Sequence, residues 1–219
     1  AEGIAKALPE KVERSIGSGM LDFLDKRILS PSKLPITRQQ AIADHFKRLI
    51  PPKTGVPDYT IIFRKSQIGP NAFALPSGQI ILTDELVKLM DNDEQIMGVL
   101  AHEIGHLHER HLMRRLVQSS AIGLLATVIF GDASAIVANI PTFMLDMKYS
   151  RDAEREADDY AIAMMKANGI ALSQMADGFA KLQGKTSEPS SYLSSHPSTA
   201  ERIEPVSYTH LTLPTTPYV

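Results

Sequence analysis

Apolar residues recur at helical spacing through Ile96, Leu100, Ile104 and Leu107, and this stretch predicts a long helix with a buried side near the middle of the chain. Asp91 with Glu94 fits a capping box at its start. Upstream, apolar residues recur among charges from Lys6 to Leu24 as an α-helical opening, Pro31 and Pro35 interrupt, and Thr37 is placed to cap a helix running to about Leu49, which Pro51 and Pro52 end. Asp58 to Arg64, DYTIIFR, is β-branched and aromatic, as a short strand is. Asn71 to Pro76, NAFALP, reads as a turn-bounded extended segment and Gly78 to Thr83, GQIILT, as a second strand, so that a small sheet can form. A short helix follows with Leu86, Val87 and Leu89. Tyr149 to Asn168 predicts another helix, capped near Ser150 and stopped at Gly169. The pattern gives an α+β domain, mainly α, with a small sheet beside the central helix.

From Ser119 to Leu145 the only charged residue is Asp132, which raises the question of a membrane span. The uninterrupted apolar run, Ala121 to Phe130, is too short for a bilayer, which takes about 20 helical residues. Gly131, Asp132, Asn139 and Pro141 break the rest. Two buried or interfacial helices are expected, and peripheral contact with a membrane surface stays open.

At 219 residues and 43% apolar content the chain suffices for one domain with a substantial core. A formal charge of −2 without a basic run gives no electrostatic reason to expect nucleic-acid binding. There are no cysteines, so thiolate chemistry is excluded and any zinc must be held by histidine and carboxylate. Ala1 opens the chain without a charged-then-apolar leader, from which a mature form or a fragment is expected.

The central helix carries the chemistry. Within Ala101 to Arg110, AHEIGHLHER, His102 and His106 are i, i+4 neighbours, so both imidazoles can reach one metal ion, and Glu103 beside them is placed to take a proton from an activated water. A solvated charged face would also produce HExxH, but the apolar repeat around it argues against that. Gly105 inside the helix should cost about 1 kcal/mol relative to alanine; close approach of another element would explain it, and a merely tolerated glycine is the alternative.

On the later helix the apolar stripe runs through Ala153, Ala157, Tyr160, Ala161, Met164 and Met165, and Glu154 and Asp158 border it. Edge carboxylates are commonly just solvated. A hydrolytic zinc site, however, wants three protein ligands and an open fourth position. Glu154 is placed to be the third ligand, and Asp158, one turn on, could accept a hydrogen bond from the outer nitrogen of a ligand imidazole. A metzincin site is ruled out, because HExxHxxGxxH would require glycine at Glu109 and histidine at Leu112.

NAFALPSG at Asn71 to Gly78, HEIGH at His102 to His106, SRDAEREAD at Ser150 to Asp158 and SHPSTAERI at Ser195 to Ile203 together resemble the M48 family of zinc metallopeptidases, which includes Ste24-, HtpX- and Oma1-type enzymes and soluble periplasmic relatives. The resemblance implies a zincin-like (gluzincin) domain over residues 1–205, with one zinc per chain on His102, His106 and Glu154, Glu103 as general base and Asp158 behind the ligands. It also implies that the Gly78–Thr83 strand is the edge to which a peptide or unfolded protein adds, and that the location is periplasmic or membrane-associated in a bacterium. His196 falls where the family places a histidine near the zinc. It could stabilise an oxyanion or close the fourth position in a latent form, or be a turn histidine before Pro197. His45, His108 and His111 read as surface or core-edge residues. Ser207 to Val219 has no core periodicity, and residues 206–219 are expected to be a non-native or disordered tail. The function so implied is zinc-dependent endopeptidase activity on unfolded or misassembled proteins in envelope quality control; a zinc-bound chaperone or adaptor without active cleavage is the alternative.

Overall fold

The computed structural model describes residues 9–119, 138, 140–145, 147–183 and 191–197. Helix α1, Glu10–Arg27, buries Val12, Ile16, Met20 and Leu24 at i, i+4 intervals, the single stripe that its charge-interrupted pattern requires. Strand β1, Leu29–Pro31, follows; nothing in its three residues signals a strand, and it forms because it pairs with β2. Helix α2, Ile36–Lys47, starts one residue before the expected Thr37 cap, with Pro35 at the N-cap; proline's fixed φ pre-orients the first turn there without a side-chain acceptor.

Strands β2 (Thr60–Ser66), β3 (Ala72–Ala74) and β4 (Gln79–Thr83) complete a sheet of order β1-β2-β4-β3. Here the expectation for Gly78–Thr83 fails. Strand β4 is not an edge: it pairs in parallel with β2 and antiparallel with β3, so both of its hydrogen-bonding sides are taken. The continuous apolar run in QIILT, rather than an alternating one, reflects cover on both faces of the strand and leaves open which strands flank it. Ile80 and Leu82 join one core with Ile96 and Ile104, while Ile81 joins another with Ile16 and Met20. The open edge beside the central helix is that of β3, in NAFALP.

Helix α3, Asp84–Leu89, is capped by Thr83, and α4, Asp93–His108, by Asn92, whose side chain accepts from the Gln95 amide at 3.0 Å. The Gln95 side chain in turn accepts from the amide of Asp91, so the capping box exists one residue later than Asp91/Glu94. Every residue from Gln95 to His106 is buried, more than the single face the periodicity predicted. The reason is that α4 is covered by β3 and β4, by α7 (Arg151–Ala167) and by α8 (Leu172–Gln183).

Helix α7 is capped by Ser150, which accepts from the Ala153 amide, and stops at Gly169 with φ 64°, as expected. Helices α5 (His111–Ser119), α6 (Ile140–Leu145) and α9 (Ser191–Ser195) complete the described elements. Most of the apolar stretch 119–145, and the expected tail at 206–219, lie outside the described residues. Among the described residues no helix is long and apolar enough to cross a membrane.

Candidate metal centre

A glycine lets the two chemistry-bearing helices meet. A Cβ on Gly105 would stand 2.8 Å from both Cα and O of Ala157, so only glycine allows α4 and α7 this separation. Ala157 lies between Glu154 and Asp158, and the close crossing delivers both carboxylates to the histidines of α4. Near the far end of α4, Gly98 does the same against Met175 of α8, where a Cβ would come within 3.1 Å.

His102 Nε2 and His106 Nε2 stand 3.0 Å apart. Glu154 Oε1 is 3.4 Å from His106 Nε2, and its Oε2 is 3.7 Å from His102 Nε2. The outer nitrogen of His102 is 2.8 Å from Asp158 Oδ1, so its Nδ1–H donates to that carboxylate and its Nε2 lone pair faces Glu154. His196 arrives from another direction. Short helix α9 ends in a turn in which the His196 amide donates to the Tyr192 carbonyl, and the Tyr149 amide donates to the Ser195 carbonyl, fastening the turn beside the start of α7. Its Nδ1 lies 3.0 Å from Glu154 Oε1. One ligand atom from each of His102, His106, Glu154 and His196 lies within 4.8 Å of the others, and all four residues are buried.

Aromatic rings fix the imidazoles. Tyr149 stacks on His106 with centroids 4.0 Å apart, Tyr192 on His196 at 4.3 Å, and Phe179 meets His102 edge-on at 5.2 Å. The Tyr192 hydroxyl donates to Glu103 Oε1 at 3.3 Å, and His196 Nε2 is 3.6 Å from the same oxygen. Burial pushes the Glu103 carboxyl above its ordinary range against the opposing influence of His196 and His102. Burial likewise holds His106 well below the usual imidazole value, although the Glu154 carboxylate opposes it, so the ring is neutral with a lone pair to give.

The donor set fits a divalent cation. Two imidazole nitrogens 3.0 Å apart with a carboxylate beside them can converge on one ion, and two nitrogens with a carboxylate oxygen suit zinc. Glu103 Oε2 is buried without a hydrogen-bond partner among the described residues, a carboxylate oxygen with unused acceptor capacity beside that set.

Sequence reasoning named His102, Glu103, His106, Glu154, Asp158 and His196, and the fold brings all six together. It read His111 as a surface or core-edge residue without a role beside the site; the structure buries it, because α5 begins there and turns the ring back toward His106. It passed over Tyr149, Tyr192 and Phe179, whose place beside the site comes from packing and has no local signature.

The sequence model of peptidase family M48 matches residues 37–210. The chain belongs to that family. Metalloprotease YcaL of Escherichia coli (strain K12) is 33% identical over 144 residues, 61% of this chain and 56% of YcaL. The mitochondrial metalloendopeptidase OMA1 of Saccharomyces cerevisiae is 30% identical over 149 residues, 63% of this chain and 43% of OMA1. The β-barrel assembly-enhancing protease of E. coli (strain K12) is 30% identical over 149 residues, 61% of this chain and 31% of that protein. The chain thus spans about half or less of the length of these M48 relatives.

Proposed function

We propose that this M48 domain is a zinc-dependent endopeptidase in which His102, His106 and Glu154 hold one zinc ion. The observation that carries the reading is the convergence of these side chains, buried, on one point beside Glu103. The chemistry that zinc supplies when bound to such a set is Lewis acidity, which acidifies water and polarises a carbonyl. Glu103, whose carboxyl burial raises above its ordinary range, is suited to take the water's proton and pass it to the leaving amine. Tyr192 steadies its carboxylate by hydrogen bonding to one oxygen and leaving the other for the proton. Asp158 fixes the His102 tautomer. His196, with Nδ1 3.0 Å from Glu154 Oε1, is suited to be a fourth donor that would close the open position.

The substrate class follows from likeness and from the sheet. A relative carries the name β-barrel assembly-enhancing protease, and on that likeness the substrates are unfolded or misassembled proteins of the bacterial envelope, with the enzyme periplasmic or membrane-associated. The peptide would add along β3 rather than β4, since β3 is the open strand packed beside α4. A cleft of about 870 Å³, lined in part by Asn71, Phe73, Met147 and Ser195, adjoins that strand and gives apolar side chains a place. The same reading takes residues 1–205 as the peptidase domain.

Purified protein, dialysed and analysed for metal, should contain about one zinc per chain and digest casein. Glu103→Gln should keep the zinc and lose the digestion, because an amide cannot take the proton; Glu154→Ala should lose both. Turnover by Glu103→Gln at the parent rate would exclude Glu103 as the base. A zinc-loaded parent that digests no unfolded protein would instead favour the binding-only adaptor.

A further inference from the structure

The two imidazoles of α4 are supported differently from behind. His102 meets a carboxylate directly at Nδ1, through Asp158. For His106 the group at Nδ1 is a second imidazole: His111 Nδ1 lies 2.9 Å away, the other nitrogen of His111 lies 2.7 Å from Glu156 Oε2, and Arg114 donates to that same oxygen at 2.8 Å. We infer that His111 and Glu156 form a relay that fixes the tautomer and orientation of His106 and so sets how firmly the centre holds zinc. The inference rests on the zinc reading above.

One arrangement of protons satisfies the row. His106 Nε2 faces Glu154 and His102, so with zinc held there it offers its lone pair to the ion and carries its proton on Nδ1. That proton is donated to His111 Nδ1, which therefore has no proton of its own, and the remaining His111 proton sits on Nε2 and is donated to the Glu156 carboxylate. Shifting the His111 proton to Nδ1 would oppose two N–H groups, or turn the His106 proton into the donor set. The row is thus polarised outward from the centre to a carboxylate whose charge Arg114 balances.

The backbone builds this on purpose-shaped geometry. Helix α4 ends at His108, and Arg110 adopts φ 54°, a conformation unusual for a residue with a Cβ, while its guanidinium pairs with Glu13 of α1. The turn lets α5 begin at His111 with its ring beneath His106, and one helical turn later Arg114 reaches Glu156. Glu156 sits two positions from Glu154 on α7, on the far side of that helix, so α7 gives one carboxylate to the centre and another to its support. His111 is 3% exposed, and a buried imidazole placed between a ligand and a carboxylate has its hydrogen-bonding capacity fully committed to them.

Zinc affinity, measured by competition with a chromophoric chelator, tests the relay independently of activity. His111→Leu should raise the zinc Kd by about 10-fold to 100-fold, the usual cost of losing an outer partner of a ligand imidazole, and Glu156→Gln, at a half-exposed position, should raise it by about 10-fold. His111→Gln, with an acceptor and a donor on one planar group, should recover part of the loss. The absorption spectrum of the cobalt-substituted protein should change in His111→Leu, whereas unfolding midpoints of the metal-free Glu156→Gln variant and parent should agree. A parent that binds zinc alongside folded His111→Leu and Glu156→Gln variants of equal affinity overturns the inference alone. A parent that takes up no zinc overturns the centre itself. Weakened binding confined to His111→Leu, matched by a lowered metal-free midpoint, also overturns the relay and leaves His111 a packing residue.

Discussion

His196 reaches the candidate centre on a turn of a few residues, held by two backbone hydrogen bonds and a stacked tyrosine, whereas His102 and His106 stand on a helix buried from Gln95 to His106. Its attachment is therefore the weaker one, and displacing it takes fewer contacts than displacing either residue of α4. With His196 as the fourth donor, His196→Ala should raise basal digestion of an unfolded protein while zinc content holds at one per chain. A fall of about 10²-fold to 10³-fold would instead mark His196 as an oxyanion donor. The pairs His102/His106 and Glu154/Asp158 were legible as candidates because each lies one turn apart on its own helix, whereas His196 was a candidate only through the family resemblance. The stacked rings of Tyr149 and Tyr192 were not, since each belongs to a different element from the histidine it covers.

At the scale of elements, the α4–α7 crossing decides whether the ligands meet. Gly105→Ala should gain about 1 kcal/mol in helix propensity but lose about 1–3 kcal/mol to overpacking against Ala157. The net result expected is a lower unfolding midpoint and reduced zinc occupancy, read by thermal denaturation and metal analysis of the same sample. The start of α4 is fixed separately. Arg38 of α2 holds Asp93 bidentately at 2.5 and 3.1 Å, and those hydrogen bonds outweigh burial and lower the Asp93 pKa. A lowered carboxylate pKa contributes stability that is present above the unfolded value, about 3.9, and lost as pH falls through the lower folded value. For a partly exposed pair this amounts to about 0.5–1 kcal/mol. Urea unfolding should show Asp93→Asn less stable than the parent near neutral pH, with the difference vanishing in acid.

For the whole molecule, the candidate metal ligands come from parts that are distant in sequence. His102 and His106 lie on α4, whose apolar residues share a core with α2 and α8, while Glu154 and His196 come from segments after the apolar stretch. A ligand bound only by the folded state adds about 2.7 kcal/mol at a free concentration 100 times its Kd. Chelation should lower the unfolding midpoint of the parent by about 5–10 °C for a chain of this size. Glu103→Gln should show the same drop and Glu154→Ala almost none, which separates holding the metal from using it.

What the sequence determined by itself is what depends on neighbours along the chain: the helical periods of α1, α4 and α7, the stops at proline and Gly169, the Ser150 cap, and the turn-spaced pairs that carry the chemistry. Each is a local contest between backbone and side chain, settled within a few residues. Strand order was decided only by the tertiary structure. QIILT is equally apolar as an edge or a centre, and only the parallel approach of β2, across a connection that includes β3, fills its second side. The burial of His111 was decided there too. Its ring turns inward because α7 and α4 are close enough, across Gly105 and Ala157, for Glu156 and His106 to claim both its nitrogens.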